Sequence, residues 1–367
     1  MKIGILTYHA CFNYGACLQA FALQRTINQF GFDCEIIDYQ SDILREISDV
    51  FAKKPKHPKE IIKNLTRVPY RKSLMKRQAM FEGFVNSLNL SRRSRTEDDV
   101  KKQAEEYECI ICGSDQTWNM DPSIRYQNPV YFLNFEKKQK RVSYATSFGQ
   151  WVKQAPQHEG MFLPWITDFD ALSMREQSGV DYLCSKGLDC KLVVDPTLLL
   201  DKADYDKICE KRIINESYVL LFTWDGSKAA TNIAKKIQKM TGVKPVYIVA
   251  PPRAMFSGVK RVLDIGPKEF LSLVKHADYV VTNSFHGTVF SIIYKKNFVS
   301  VVTGHVDTRR ESLMEHLGLT DHLMTELSFD LSTIQNTDYS SVDGKLNSFK
   351  KSSMEYLYNA LGKKDYD

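Results

Sequence analysis

A few short clusters in the chain carry side chains able to grip anions, bind hydroxyls and move protons. Ser284-Phe285-His286-Gly287 offers a histidine, which can donate a hydrogen bond, carry charge near neutral pH or transfer a proton. Gly287 would let the backbone approach a ligand closely. Arg175, in Ser173-Met174-Arg175-Glu176, suits a two-pronged grip on a carboxylate or phosphate, and Arg309 with Arg310 adds cations further along. The run from Gly113 to Asn119, with Ser114, Asp115, Gln116 and Trp118, combines one carboxylate with amides and an indole face for a sugar ring. Asp115 is its only acid and could take a hydroxyl proton. Asn13-Tyr14-Gly15 adds an amide, a ring and an approachable backbone. Each residue also has an ordinary alternative: His286 and Asp115 as caps, Arg175 paired with Glu176 or another acid, and surface placement for the two arginines, more so for Arg310.

These clusters sit where short apolar runs end. Tyr279-Val280-Val281, Tyr107 to Cys112, Asp170 to Met174 and Lys2 to Tyr8 read as strands, and helical spacing follows at Gly15 to Phe30 and again after Gly287. In an open α/β sheet, ligands collect beyond the carboxyl ends of the strands, where helix N-termini present free N–H groups. Further strands are expected at 34–39, 141–146, 218–223, 245–250 and 298–302, and helices at 227–240 and 267–276. This alternation predicts two parallel-sheet domains facing a cleft. The expected division is 1–200, 201–345 and a closing helix from 346 that returns to the first domain. No G-x-G-x-x-G fingerprint accompanies the first strand, so a nicotinamide dinucleotide is not indicated.

Composition is that of a folded protein, with 43% hydrophobic and 26% charged residues. The eight cysteines are scattered, and Cys109 and Cys112 lie three apart on a strand, which points them to opposite faces and argues against a metal or redox pair. No cluster has metal-ligand spacing, and no long apolar run or cleavable leader stands out, so a cytoplasmic location is expected. The net charge of +6 conceals one segment: residues 53–77 hold ten Lys or Arg against a single acid, Glu60. Ile61, Ile62, Leu65 and Val68 interleave with this charge. The segment reads either as solvated surface or as a contact for anionic lipid headgroups or a diphosphate. Nucleic acid is not expected, since no recognised binding module accompanies the charge.

Asn13-Tyr14-Gly15-Ala16 with Leu18-Gln19-Ala20, Gly113-Ser114-Asp115-Gln116 with Trp118, Ser173-Met174-Arg175-Glu176, Asp195-Pro196-Thr197-Leu198-Leu199, Ser284-Phe285-His286-Gly287 and Arg309 before a helix occur in that order. Together they resemble the polysaccharide pyruvyl transferase family over residues 3 to about 320. The resemblance implies a GT-B-like architecture of two facing Rossmann-type domains. It also implies transfer of the pyruvyl group of phosphoenolpyruvate (PEP) to two hydroxyls of a sugar, forming a cyclic ketal, with no cofactor. His286 matches the catalytic histidine and Arg175 a PEP-binding arginine, while Arg309 sits where the family often places a further cation.

On this reading PEP meets Arg175, His286, Arg309, Ser284 and Gly287, and the acceptor meets Asn13, Tyr14, Gly15, Ser114, Asp115, Gln116 and Trp118. The implied acceptor is a galactose-type residue of a capsule or exopolysaccharide unit carried on a polyprenyl diphosphate. Residues 53–77 would then hold the enzyme at the inner membrane face. Two rivals remain open: a GT-B glycosyltransferase using a nucleotide sugar, and a non-catalytic glycan or lipid-diphosphate binding protein.

Overall fold

A computed structural model describes the chain apart from residues 53–57, 122–127, 250–251, 254–256, 305–306 and 364–367. The first half contains β1 (Lys2–Leu6), α1 (Tyr14–Gln29), β2 (Asp33–Ile36), α2 (Asp42–Ser48), α3 (Pro58–Arg67), α4 (Arg71–Val85) and α5 (Glu97–Ala104). It continues with β3 (Cys109–Cys112), β4 (Lys140–Ser143), α6 (Glu159–Ile166), β5 (Leu172–Met174), α7 (Gln177–Ser185) and β6 (Cys190–Leu192). The second half runs α8 (Lys202–Asp206), β7 (Tyr218–Phe222), α9 (Lys228–Thr241), β8 (Lys244–Tyr247), β9 (Lys260–Arg261), α10 (Pro267–His276) and β10 (Tyr279–Thr282). It closes with α11 (Phe285–Ile293), β11 (Asn297–Val301), α12 (Thr308–Leu317), β12 (Leu323–Met324), α13 (Leu331–Gln335) and α14 (Tyr339–Ala360).

Both sheets are parallel. The first has the order β2-β1-β3-β4, and bridges Val142↔Ala171 and Thr146↔Met174 carry it on to the β5-β6 pair. The second has the order β12-β11-β10-β7-β8-β9. Each reverses direction once, between β1 and β3 and between β7 and β10. That switch point leaves a crevice above the carboxyl ends of those four strands. The loops leaving them hold residues 7–13, 113–119, 223–227 and 283–284.

Strands buried on both faces explain the continuous apolar runs, since helices cover each side of a parallel sheet. Cys109 and Cys112 of β3 enter different core clusters, on opposite faces of the strand. The helices start and stop on chemistry visible in the sequence. Asn13 caps α1 by accepting from the amides of Gly15 and Ala16, Ser284 caps α11, and Gly242 ends α9 at φ 78°.

Strands β6, β9 and β12 were not anticipated; at two or three residues each they are too short to show a period. Helix α14 begins at Tyr339 and not at 346, because Asp338 caps it by accepting from the amides of Ser340 and Ser341. It returns to the first sheet, where Ser353 Oγ accepts from the Val194 amide at 2.9 Å and Tyr356 donates to the Ser143 carbonyl at 2.9 Å. The basic stretch forms α3 and α4 around a single 3-10 turn; its first part, residues 53–57, lies outside the described residues.

Candidate active site

His286 occupies the first turn of α11, at the mouth of β10, and is 5% exposed. Its ring packs against Gly15: an added Cβ there would lie 2.6 Å from His286 Cε1 and closer still to Nδ1 and Cγ. Glycine is therefore required at position 15 by the histidine opposite. On the other side, His286 Nε2 stands 3.7 Å from Asp195 Oδ2 and makes no hydrogen bond, so a protonated His286 has a counter-ion and an uncommitted N–H.

Asp195 is the hub of the cluster. Its Oδ1 accepts from the Thr197 amide at 3.0 Å and hydroxyl at 2.6 Å, and its Oδ2 accepts from Arg175 Nη1 at 2.7 Å and Ser114 Oγ at 3.2 Å. Burial opposes its charge, yet His286, Arg175 and Thr197 together hold the carboxyl far below the usual carboxylate range. Arg175 donates its other Nη to Asp115 Oδ1 at 2.8 Å. Asp115 is likewise depressed against the cost of its burial, by Arg175, His286 and Arg309.

Arg175 thus lies between two buried carboxylates, with Nε buried and unpartnered. Its guanidinium sits 4.7 Å from the Phe285 ring centroid, and that of Arg309 5.6 Å from the same ring. Arg309 is clamped by Asp307, the cap of α12, and with the Gln116 amide oxygen turned toward it also donates to Gln116 from Nη1 at 2.7 Å and Nη2 at 2.9 Å.

Several expected site residues have other employment. Trp118 offers no face to a sugar: it is fully buried, stacked on Phe132 at 5.6 Å, with Nε1 donating to the Tyr131 carbonyl. Tyr14 is an anchor between the two halves, stacked on Phe270 at 4.8 Å and packed against Phe222. Ser114 is fully buried, with its hydroxyl spent on Ala145 and Asp195. Gly287 packs against the protein: a Cβ there would strike Thr282 and come within 2.9 Å of Phe222, and its amide donates to Ser284 Oγ at 3.4 Å. Asn13 is exposed and spends Oδ1 on capping α1. Arg310 is buried, not at the surface, because Nη1 donates to Ser300 Oγ at 3.0 Å and the Val301 carbonyl at 2.9 Å, tying α12 to the end of β11.

Next to this cluster a cavity of about 630 Å³ opens between the two halves, lined by Ser284 but not by His286, Arg175 or Asp195 themselves. Asn13, Tyr14 and Ser284 bring it to the turn that carries His286, and Lys63, Arg67, Arg77 and Arg253 line it against one acid, Asp49. The cations oppose one another. Burial first, and then Arg77 and Arg253, bring Arg67 down to about 10; burial and Arg67 lower Lys63. Arg77 lies 5.1 Å from the centroid of the Tyr14 ring, with Nε buried and unpartnered. Clustered cations in a concave wall are poised for an anion.

Sequence reasoning missed three residues. Trp224 lines the cavity at the exit of β7 and is 64% exposed. Its loop is braced by Asn283, which accepts from the Trp224 amide and donates to Asp225 Oδ1 at 2.8 Å. The strand-exit rule that singled out His286 applies equally to Trp224. Asp195 lay in a noted motif but was given no role. Glu176 is fully buried, with Oε1 accepting from the amides of Phe148 at 2.8 Å and Gly149 at 3.2 Å and Oε2 unpartnered. Its burial pushes the carboxyl up to about 7, although Arg175 and Arg309 pull the other way.

A family model described as polysaccharide pyruvyl transferase matches residues 13–305, from the cap of α1 past the end of β11. The chain belongs to the polysaccharide pyruvyl transferase family. A comparison with curated proteins gave no match. Among solved structures, the chain is similar to UDP-GlcNAc 2-epimerase from Methanocaldococcus jannaschii in complex with UDP-GlcNAc and UDP. Identity is 14%, TM-score 0.51, and 98% of this chain and 99% of that one are covered. It is also similar to S. aureus MnaA with UDP, at 13% identity and TM-score 0.55 over 100% and 99% of the two chains. A third is an α-glucosyltransferase in complex with UDP, at 10% identity and TM-score 0.52 over 98% and 96%. These likenesses establish the GT-B fold of this pyruvyl transferase family member. Among the described residues, no group of three or more His, Cys, Asp or Glu could hold a metal ion, and no helix is long and apolar enough to cross a membrane.

Proposed function

We propose that the enzyme transfers the pyruvyl group of PEP to two hydroxyls of a sugar, a galactose-type residue of a lipid-linked repeat unit, at the cavity beside His286. The observation that carries this reading is a cavity in which Ser284, two residues before His286, is lined up with four cations and an exposed indole. Around His286 itself, Arg175 and Arg309 are offset by Asp115, Asp195 and Asp307. A substrate with a carboxylate and a phosphate therefore finds its surplus positive charge at Lys63, Arg67, Arg77 and Arg253. Arg175 and Arg309 then position Asp115, Asp195 and Gln116 as well as facing the donor, and donor and acceptor share the cleft.

In the proposed reaction His286 protonates the PEP methylene carbon, leaving a cationic centre at carbon two. A sugar hydroxyl adds there and its proton passes to the phosphate oxygen. The carbon–oxygen bond to phosphate breaks, the second hydroxyl closes the ketal, and its proton restores His286. Asp195 holds the imidazolium by charge, and Asp115 orients a hydroxyl as acceptor; its depressed carboxyl makes it a weak base. Trp224 stacks the sugar ring. The test is phosphate release from PEP on adding a panel of galactosides. Release is expected from the native enzyme and about a thousandfold less from His286→Ala. Equal release from the variant would refute the acid role, and cleavage of a nucleotide sugar in place of PEP would make the enzyme a glycosyltransferase.

A further inference from the structure

Helix α3 has two faces of opposite character. Lys63 and Arg67 line the cavity, while Ile61, Ile62, Leu65 and Val68 follow the other side and the turn after it, 47%, 54%, 66% and 59% exposed. Tyr70 and Met75, also exposed, follow within the next seven positions. Of thirteen large hydrophobic side chains exposed among the described residues, these six fall within fifteen positions, so the patch is local and not scattered surface.

The helix is held in place without that face. Asn64 exchanges two hydrogen bonds with the Ala52 backbone, both 2.9 Å, and Arg67 Nη1 donates to the Val50 carbonyl at 2.7 Å. Exposed Lys59, Arg71 and Lys72 flank the apolar side chains in sequence, which also carries Lys53, Lys54 and Lys56 just ahead of them. An apolar stripe edged by cations matches the boundary between acyl chains and anionic headgroups. A second copy docked on the same face would set like charges together.

We propose that α3 lies in the surface of an anionic bilayer with Ile61, Ile62, Leu65 and Val68 inserted. The opposite face then presents Lys63 and Arg67 to the phosphate groups of a lipid-linked sugar entering the cavity. The docking is independent of the chemistry; only its purpose rests on the proposed pyruvyl transfer.

Co-sedimentation with vesicles of phosphatidylglycerol and phosphatidylcholine, and of phosphatidylcholine alone, tests it. The native enzyme is expected to sediment with the anionic vesicles and much less with the neutral ones. Ile62→Glu/Leu65→Glu, which alters only exposed side chains, should weaken that binding by about tenfold or more. PEP titration of the same variant without lipid should be unchanged, which separates failed docking from failed chemistry. Unaltered sedimentation of the variant, or none by the native enzyme, would overturn the inference. So would a native dimer that the two substitutions dissolve.

Discussion

Gly15→Ala isolates the contact between the two halves on which the proposed catalytic geometry depends. Alanine is the better helix former, by up to about 1 kcal/mol, and Gly15 has no positive φ to preserve. On propensity alone the substitution should be neutral or stabilising. Its Cβ, however, would lie 2.6 Å from His286 Cε1 and closer to Nδ1 and Cγ, whereas ordinary contacts begin near 3.4 Å. The ring must retreat by about 1 Å or more, a displacement that can cost about a hundredfold in rate, or about 2.7 kcal/mol of barrier. Phosphate release from PEP should therefore show kcat down about a hundredfold, with the thermal midpoint within a few degrees of native. Gly15→Ala/His286→Ala should be no slower than His286→Ala alone, because both changes remove the same function. A fully active Gly15→Ala, or a double variant in which the two losses multiply, would refute the claim that Gly15 acts through His286.

Arg175→Ala should destabilise the fold by about 3–5 kcal/mol in urea titration, since it strands the buried Asp115 and Asp195 carboxylates. Native stability with only a raised KM for PEP would make it a simple ligand contact. Glu176 is protonated in the fold up to about pH 7, well above its unfolded value of 4.5, so its contribution to stability is fully present below 4.5 and is lost as pH rises to 7. The loss is roughly 3 kcal/mol. Glu176→Gln should flatten that slope, and a pH profile identical to native would exclude Glu176 as its source. Trp224→Ala should raise the acceptor KM about tenfold or more at unchanged stability, because the indole is 64% exposed. An unchanged acceptor KM would remove the stacking role.

Much of the fold was legible because parallel strands and their crossover helices write continuous apolar runs followed by helical spacing. Helix α10 begins and ends at its expected residues, Pro267 and His276, fixed by a proline at its start and Glu269 reaching back to the Gly266 amide. The position of His286 was legible for the same reason, as a polar residue at a strand exit.

What could not be read was the partner of each polar side chain. Asp195 faces His286 across 91 positions of sequence, and Tyr14 meets Phe270 across the joint between the halves. Trp118 looked like a sugar platform because its polar neighbours suggested a surface, yet Phe132, Phe148 and Phe169 close over it. Arg310 looked more exposed than Arg309, but its hydrogen bonds run to a strand that only the folded topology brings near. For the basic stretch the sequence left a solvated surface and a contact for anionic headgroups or a diphosphate both open; on a helix the charges of Lys63 and Arg67 turn to the cavity and Ile61, Ile62 and Leu65 to the opposite, exposed face.

The most direct test of donor identity is calorimetric titration of the enzyme with PEP and, separately, with UDP-N-acetylglucosamine, repeated on Arg67→Ala/Arg77→Ala. The account predicts that PEP binds, that the double variant weakens it about tenfold or more, and that the nucleotide sugar gives no comparable heat. Tight binding of UDP-N-acetylglucosamine with none of PEP would contradict it.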